Sequence, residues 1–210
     1  MKFIYVVKRR DLDGLIPEVG LVFPPLEKVE GRFAGGFFIE RPHAERDPEF
    51  KQIIPYTVLQ RGDEVFVFER LAGGGEARLH NLRSIGVGGH MEPSEARVSS
   101  GAGVSSGAGG SWDMIRAAAL REIEEEVHVD SPEPLHLEYR GLINDESNEV
   151  GTVHTGVLFF AQLPPAARVT VRETDVLAGR FEPLANLIAE NGEAFETWSR
   201  HILRAVGDTP

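Results

Sequence analysis

Cysteine is absent from all 210 residues, which excludes disulfides, thiolate metal sites and cysteine nucleophiles together. Long hydrophobic runs are also missing, since no stretch approaches the roughly eighteen apolar residues a membrane-spanning helix needs. The opening Met-Lys-Phe-Ile-Tyr-Val-Val turns charged at Lys8, Arg9, Arg10 and Asp11, a run too short for a signal peptide, so a cytoplasmic protein is expected. Positive charge is scarce. Lys and Arg number 22 against 33 Asp and Glu, a formal net charge of -11, and such a field gives no counterion-release drive toward an extended nucleic acid. A small anionic substrate is still compatible, because a few placed arginines or one divalent cation can invert the field locally.

What is present is an ordinary globular composition, 41% hydrophobic and 26% charged, enough for one principal domain. Residues 1–50 contain a strand-like start at 2–9 and then repeated Pro and Gly, and they are expected to form an irregular or short-stranded appendage. Residues 51–210 carry the sharper pattern. Thr57 to Gln60, the turn Arg61-Gly62-Asp63-Glu64 and Val65 to Phe68 predict a hairpin. A glycine-rich loop, Gly86 to His90, precedes Met91-Glu92-Pro93-Ser94-Glu95. Val-Ser-Ser-Gly-Ala-Gly then repeats in tandem over 98–109, and 98–111 is expected to be a flexible surface insertion. Met114 to Val127 predicts a helix capped by Ser111 or Asp113. Strands are expected near 135–143, 155–163, 169–172 and 180–182, with a polar surface loop from Asn144 to Glu149, and helices near 184–190 and 194–206. Strands interleaved with helices indicate an α/β or α+β domain with a mixed sheet.

On a helical wheel, Leu120, Ile123 and Val127 share one side of the 114–127 helix, expected to face the core. Glu122, Glu125 and Glu126 share the opposite side, with Ile115 and Ala118 among them. Like charges three and four residues apart destabilise a helix, so the cluster calls for a cation, and a hard divalent ion with oxygen ligands fits best. A solvated acidic face paired with Arg116 and Arg121 would give the same composition.

The wider pattern resembles the box of the Nudix hydrolase (MutT-like) family: glycine, five residues, Glu, seven residues, Arg-Glu, an aliphatic, any residue, Glu-Glu, any residue, glycine, an aliphatic. Gly89 to Glu95 matches its front, and Arg121, Glu122, Ile123, Glu125, Glu126 and Val129 match its back. The resemblance covers roughly residues 53–205 and implies a Nudix-type α/β/α sandwich with a mixed sheet. It implies that Glu122, Glu125 and Glu126, helped by the Gly89 carbonyl, hold Mg²⁺ with Mn²⁺ as a substitute, and that Arg121 orients a carboxylate. Two departures stand out. The closing glycine is His128, and twenty-five residues separate Glu95 from Arg121, so either Glu95 or Asp113 fills the first acidic position.

Family members often place a further catalytic glutamate outside the box. The candidate segments here are Asp145 to Glu149 and Glu173 to Asp175, with Glu173 the more family-like. Arg70, Arg78 and Arg83 suit phosphate oxygens, and Arg70 and Arg83 are taken as substrate-binding. His80, His90 and His154 lack the helical spacing of a zinc site and receive no role. The function implied is Mg-dependent cleavage of a phosphoanhydride bond in a nucleoside diphosphate linked to another group. The alternative is a non-catalytic nucleotide-binding or regulatory module on the same fold. Isopentenyl diphosphate isomerisation is disfavoured because it relies on a cysteine. The expected partner is a small nucleotide-type molecule, with no membrane and no extended nucleic acid; a homodimer is compatible with the reading.

Overall fold

The computed structural model describes residues 2–71, 82–96, 109–190 and 194–207. Arg78, His80 and nearly all of the tandem Gly/Ser repeat lie outside these residues. The amino-terminal elements are β1 (Phe3–Lys8), β2 (Val19–Val22), α1 (Leu26–Phe33), β3 (Phe37–Glu40) and α2 (Arg41–Ala44). The hairpin β4 (Phe50–Arg61) and β5 (Glu64–Arg70), the short strands β6 (Arg83–Ser84) and β7 (Gly86–Gly88), and the long helix α3 (Gly109–Glu126) follow. After these come β8 (Val127–Asp130), β9 (Leu137–Asp145), α4 (Glu149–Thr152), β10 (His154–Gln162), β11 (Arg168–Val171), β12 (Leu177–Pro183), α5 (Leu184–Ala189) and α6 (Thr197–Gly207). The expected α/β class and large mixed sheet are both present.

The chain forms two compact units, one of Met1–Tyr56, Gly88–Arg121 and Tyr139–Leu158, the other of Thr57–Val87, Glu122–Glu138 and Phe159–Pro210. In the first, β1 pairs antiparallel with β3 and with the start of β4, and β2 pairs antiparallel with the end of β9. The amino-terminal fifty residues therefore supply short strands to a sheet, the short-stranded of the two forms expected of them. Ile4, Val6 and Ala44 pack with Phe37, Ile39 and Phe50. The buried Tyr5 hydroxyl donates to the Phe33 carbonyl at 2.7 Å, tying β1 to the end of α1. Apolar burial of this kind contributes about 25 cal/mol per Å².

In the second unit β5 lies between β12 and the end of β4, with Gln60 opposite Val65 and Arg61 opposite Glu64. That register leaves Gly62 and Asp63 as a two-residue loop, and Gly62 takes φ +62, the left-handed geometry that tight hairpins require. Val65, Phe66, Val67 and Phe68 are all buried, so the strand is covered on both faces and reads as a continuous apolar run. A separate ribbon joins β8 to β11, with His128 opposite Thr170.

Three expectations need correcting. Ser111 and Asp113 are inside α3, which begins at Gly109, so neither caps it. The helix ends at Glu126, one residue before the expected end, because Val127 already belongs to β8; His128, where the box has its closing glycine, is extended and strand-paired. Asn144 and Asp145 are not on a surface loop. They close β9 and are 0% and 2% exposed.

Candidate active site

Helix α3 carries the carboxylates on the face expected, but that face is itself covered in its first turns. Ile115, Ala118 and Ala119 are buried, and steps of 100° per residue place Glu122 and Glu126 in line with them. The glutamates thus continue one covered stripe of the helix and lie opposite a second. Ile123 and Val127 are buried as expected, while Leu120 is only half-buried. Glu122 and Glu126 are half-buried and Glu125 is exposed.

Within the second unit, charge concentrates around Glu126. Burial, then Glu122, then Glu173 and Glu125 push its carboxyl up to about 7, and Arg70 opposes the shift. Glu173 and Arg70, far apart in sequence, therefore both act on the carboxylate cluster. The backbone explains it. The Arg172 N–H donates to the Glu126 carbonyl at 2.9 Å and the Arg172 Nε to the Val127 carbonyl at 3.2 Å, which satisfies the helix's last acceptors and sets Glu173 one residue further on. Arg70 ends β5 opposite Leu177 of β12. All donors here are carboxylate oxygens, which suit a hard divalent cation; among the described residues no three His, Asp or Glu side chains are already gathered around one point.

Arg83 is placed differently. Its two terminal nitrogens hold Glu182 and Glu190 at 2.5 and 2.7 Å, and its guanidinium lies 4.6 Å from the Phe195 ring centroid. It is 13% exposed, and these contacts anchor β6.

The first unit contains the front of the motif. Glu95 is buried, accepts from Arg121 Nε at 2.7 Å and from its own turn through the Glu92 N–H at 2.5 Å. Arg121 Nη2 donates to the His90 carbonyl at 2.8 Å. Arg121 therefore meets Glu95, one of the two candidates for the first acidic position, in spite of the long intervening stretch; Asp113, the other, sits near the start of α3. Gly88 has no room for a side chain, since a Cβ there would come within 2.9 Å of the Pro55 carbonyl.

Sequence reasoning did not find a buried polar network in this unit. Lys51 is 0% exposed and its ammonium contacts Glu146 at 2.9 Å, Asn144 Oδ1 at 3.1 Å and the Gly151 carbonyl at 2.9 Å. Arg9 grips the same Glu146 carboxylate with both terminal nitrogens. Burial would raise the Glu146 carboxyl, but hydrogen bonds from Arg9, Lys51 and Asn144 hold it at about 2. Next to this network, His90 Nε2 lies 2.8 Å from Gln52 Oε1 and 3.3 Å from His154 Nε2. No local signal marks these residues, because the contacts join positions about a hundred apart in sequence.

No family model matches the chain. Protein YmaB of Bacillus subtilis (strain 168) is 42% identical over 201 residues, 94% of this chain and 91% of its own length. Among solved structures, Tm1382, assigned to the Nudix hydrolases, superposes with a TM-score of 0.76 at 30% identity, covering 98% of both chains. A NUDIX hydrolase from Alicyclobacillus acidocaldarius matches at TM-score 0.50 and 14% identity over 74% of this chain and 90% of its own, a likeness of fold alone.

Proposed function

Since this chain belongs to the Nudix hydrolase family, we propose that it cleaves a phosphoanhydride bond in a nucleoside diphosphate linked to another group, with Mg²⁺ or Mn²⁺ as cofactor. The observation that carries this reading is Glu126, whose carboxyl is driven up to about 7 by burial and by Glu122, Glu173 and Glu125. A buried carboxylate on which neighbouring glutamates outweigh Arg70 is stabilised by a divalent cation, and the all-oxygen donor set fits one. Glu122, Glu125 and Glu126 would hold the ion, with the Gly89 carbonyl as the resemblance adds. When bound, the ion supplies charge neutralisation on the phosphate oxygens and acidifies a water.

The chain's own residues then have separate tasks. Arg121 clamps Glu95 and the His90 carbonyl, fixing the turn that follows Gly89. Glu173 takes a proton from the attacking water, and Arg70 binds substrate phosphate with its forked guanidinium. Arg83, proposed with Arg70 from sequence, would have to leave Glu182 and Glu190 to do the same, so Arg70 is the stronger assignment. The 1–50 segment, as an appendage to the catalytic domain, contributes recognition of the group attached to the diphosphate.

The test is release of a monophosphate product from nucleoside triphosphates, sugar nucleotides, dinucleoside polyphosphates and ADP-ribose with Mg²⁺ or Mn²⁺. Wild type should turn over at least one class, and Glu125→Gln and Glu126→Gln should not. Equal activity of both variants and wild type on every substrate would sink the assignment. A metal-dependent thermal shift with a ligand that is never cleaved would instead establish the non-catalytic binding module.

A further inference from the structure

Two histidines that lack the helical spacing of a zinc site are brought together by the fold. His90 follows β7 and His154 opens β10, and their Nε2 atoms face each other at 3.3 Å. The amide oxygen of Gln52, in β4, lies 2.8 Å from the same His90 Nε2. All three residues belong to the first unit. Hydrogen bonding alone accounts poorly for the arrangement. His154 Nδ1 lies 2.6 Å from the Val150 carbonyl, an acceptor only, so Nδ1 carries the hydrogen of the neutral ring and Nε2 presents a lone pair. A single hydrogen on His90 Nε2 would have to serve both Gln52 Oε1 and His154 Nε2, and 3.3 Å is long for such a bond.

The same spacing suits a metal. With Zn–N bonds of about 2.0–2.1 Å, a tetrahedral angle places two ligand nitrogens about 3.3–3.4 Å apart, the separation of the two rings. The bond from His154 Nδ1 to a backbone carbonyl is the outer contact that metal-bound imidazoles usually make, and it fixes tautomer and ring orientation. Gln52 supplies an independent observation. It is 0% exposed, and its Nε2 has no hydrogen-bond partner among the described residues. An unpaired buried donor is costly, so the amide is accounted for by its oxygen, which faces His90. Charge does not oppose a cation here. Arg41, Lys2 and Arg121 bear on His90, but each meets a carboxylate: Glu45 at 2.6 Å, Glu92 at 3.8 Å and Glu95 at 2.7 Å. Both rings are half-buried, which leaves an ion a way in.

We propose that His90 Nε2, His154 Nε2 and the Gln52 amide oxygen form a site for Zn²⁺ or a similar divalent transition ion, with water as a fourth ligand. In the bound form His90 carries its ring hydrogen on Nδ1, which frees Nε2 as a ligand. The donor chemistry differs from that of the carboxylate cluster: imidazole nitrogens select Zn²⁺ over Mg²⁺, whereas carboxylates suit the hard ion. The ion's role is to staple β4, the turn after Gly89 and the start of β10, which bring Gln52 and His154 to His90 from 38 and 64 residues away. Binding to the folded chain alone then stabilises it.

The experiment titrates the full chain with Zn²⁺ against a chromophoric chelator in excess Mg²⁺, with Co²⁺ as a visible-absorption probe and thermal unfolding alongside. Wild type should take up Zn²⁺ with a rise in melting temperature, and Co²⁺ should give the visible bands of a tetrahedral site. His154→Leu should lose those bands and weaken Zn²⁺ binding by at least about a hundredfold, and Gln52→Met should weaken it by about tenfold. His154→Gln keeps a hydrogen-bond acceptor for His90, so its metal-free melting temperature should match wild type while its Zn²⁺ affinity falls. Glu125→Gln should keep both the bands and the Zn²⁺-dependent melting shift. Should His154→Leu fail to fold, His154→Gln and Gln52→Met decide the matter. A wild type without the Co²⁺ bands or the melting shift overturns the proposal, as do bands and affinity unchanged in the His154 and Gln52 variants. Loss of both signals in Glu125→Gln would assign the ion to the carboxylate cluster and overturn it equally.

Discussion

Each unit contains buried charge, but the two treat it in opposite ways. Around Lys51 every charged group has a partner: Glu146 accepts from Lys51 and Arg9, and Asn144 bridges to the Pro17 carbonyl at 2.7 Å. The Glu146 carboxyl sits at about 2 as a result. Around Glu126 the neighbours are mostly of the same sign, and the carboxyl rises to about 7. Compensated burial holds the fold together and leaves nothing for a ligand to do. Burial among an excess of like charge lowers stability in the metal-free chain and creates affinity for whatever neutralises it.

The comparison breaks most visibly at Glu146. Glu146→Gln leaves the buried Lys51 ammonium with neutral acceptors only, and chemical denaturation should show a loss of about 3–5 kcal/mol. Lys51→Met added to that variant should recover part of it, because the stranded charge is gone. The pH dependence follows from the lowered carboxyl: its contribution is present above the unfolded value of 4.5 and is lost as pH falls toward 2. Acid titration of stability in Glu146→Gln should therefore flatten over that window.

Next in size is Glu126→Gln, with at least about a hundredfold lower turnover expected in steady-state assays, equivalent to about 2.7 kcal/mol in the transition state. The same variant should be more stable than wild type without metal. The sign is opposite to that of Glu146: a raised carboxyl destabilises progressively as pH climbs from 4.5 to about 7, by roughly 3 kcal/mol at the upper end. Calorimetry in a chelator should show Glu126→Gln pulling ahead of wild type across that interval, and added Mg²⁺ should close the gap. An unchanged wild-type melting temperature between pH 5 and 8 would count against the cluster of like charge. The smallest effect belongs to Arg41 and Glu45, an exposed pair four residues apart at 2.6 Å. Glu45→Ala should alter stability by no more than about 0.5 kcal/mol, and 0.5 M salt should remove the difference.

How much of this could be read in the sequence depended on whether the signal was local. The hairpin at Gly62 and Asp63, the apolar run of β5 and the residue types of α3 are neighbours in the chain and were legible. The choice between Glu95 and Asp113 was not, because the two stand at competing spacings; the contact of Arg121 with Glu95 favours the former. The wheel placed Ile123 and Val127 on a buried side of α3 correctly, but it did not show that Ile115 and Ala118, beside the glutamates, are buried as well. β2 and α1 were hidden by Pro and Gly at their edges, although β2 pairs with β9 some 120 residues later. Lys51, Gln52, Asn144 and His154 carry no local pattern at all; only the pairing of distant strands brings them together.

The absence of any loop between α3 and β8 has one more consequence. Glu126 and Glu173 are held in step by the main-chain bond from Arg172 to Glu126 and by the β8–β11 ladder beside it, so their separation is governed by strand register rather than by flexible side chains. Glu173 follows β11 by two residues, so adding or deleting one residue between Val169 and Glu173 would shift it against the Arg172–Glu126 bond while leaving every ligand type in place. A change in length in this short stretch should therefore disturb the cluster more than a substitution in it.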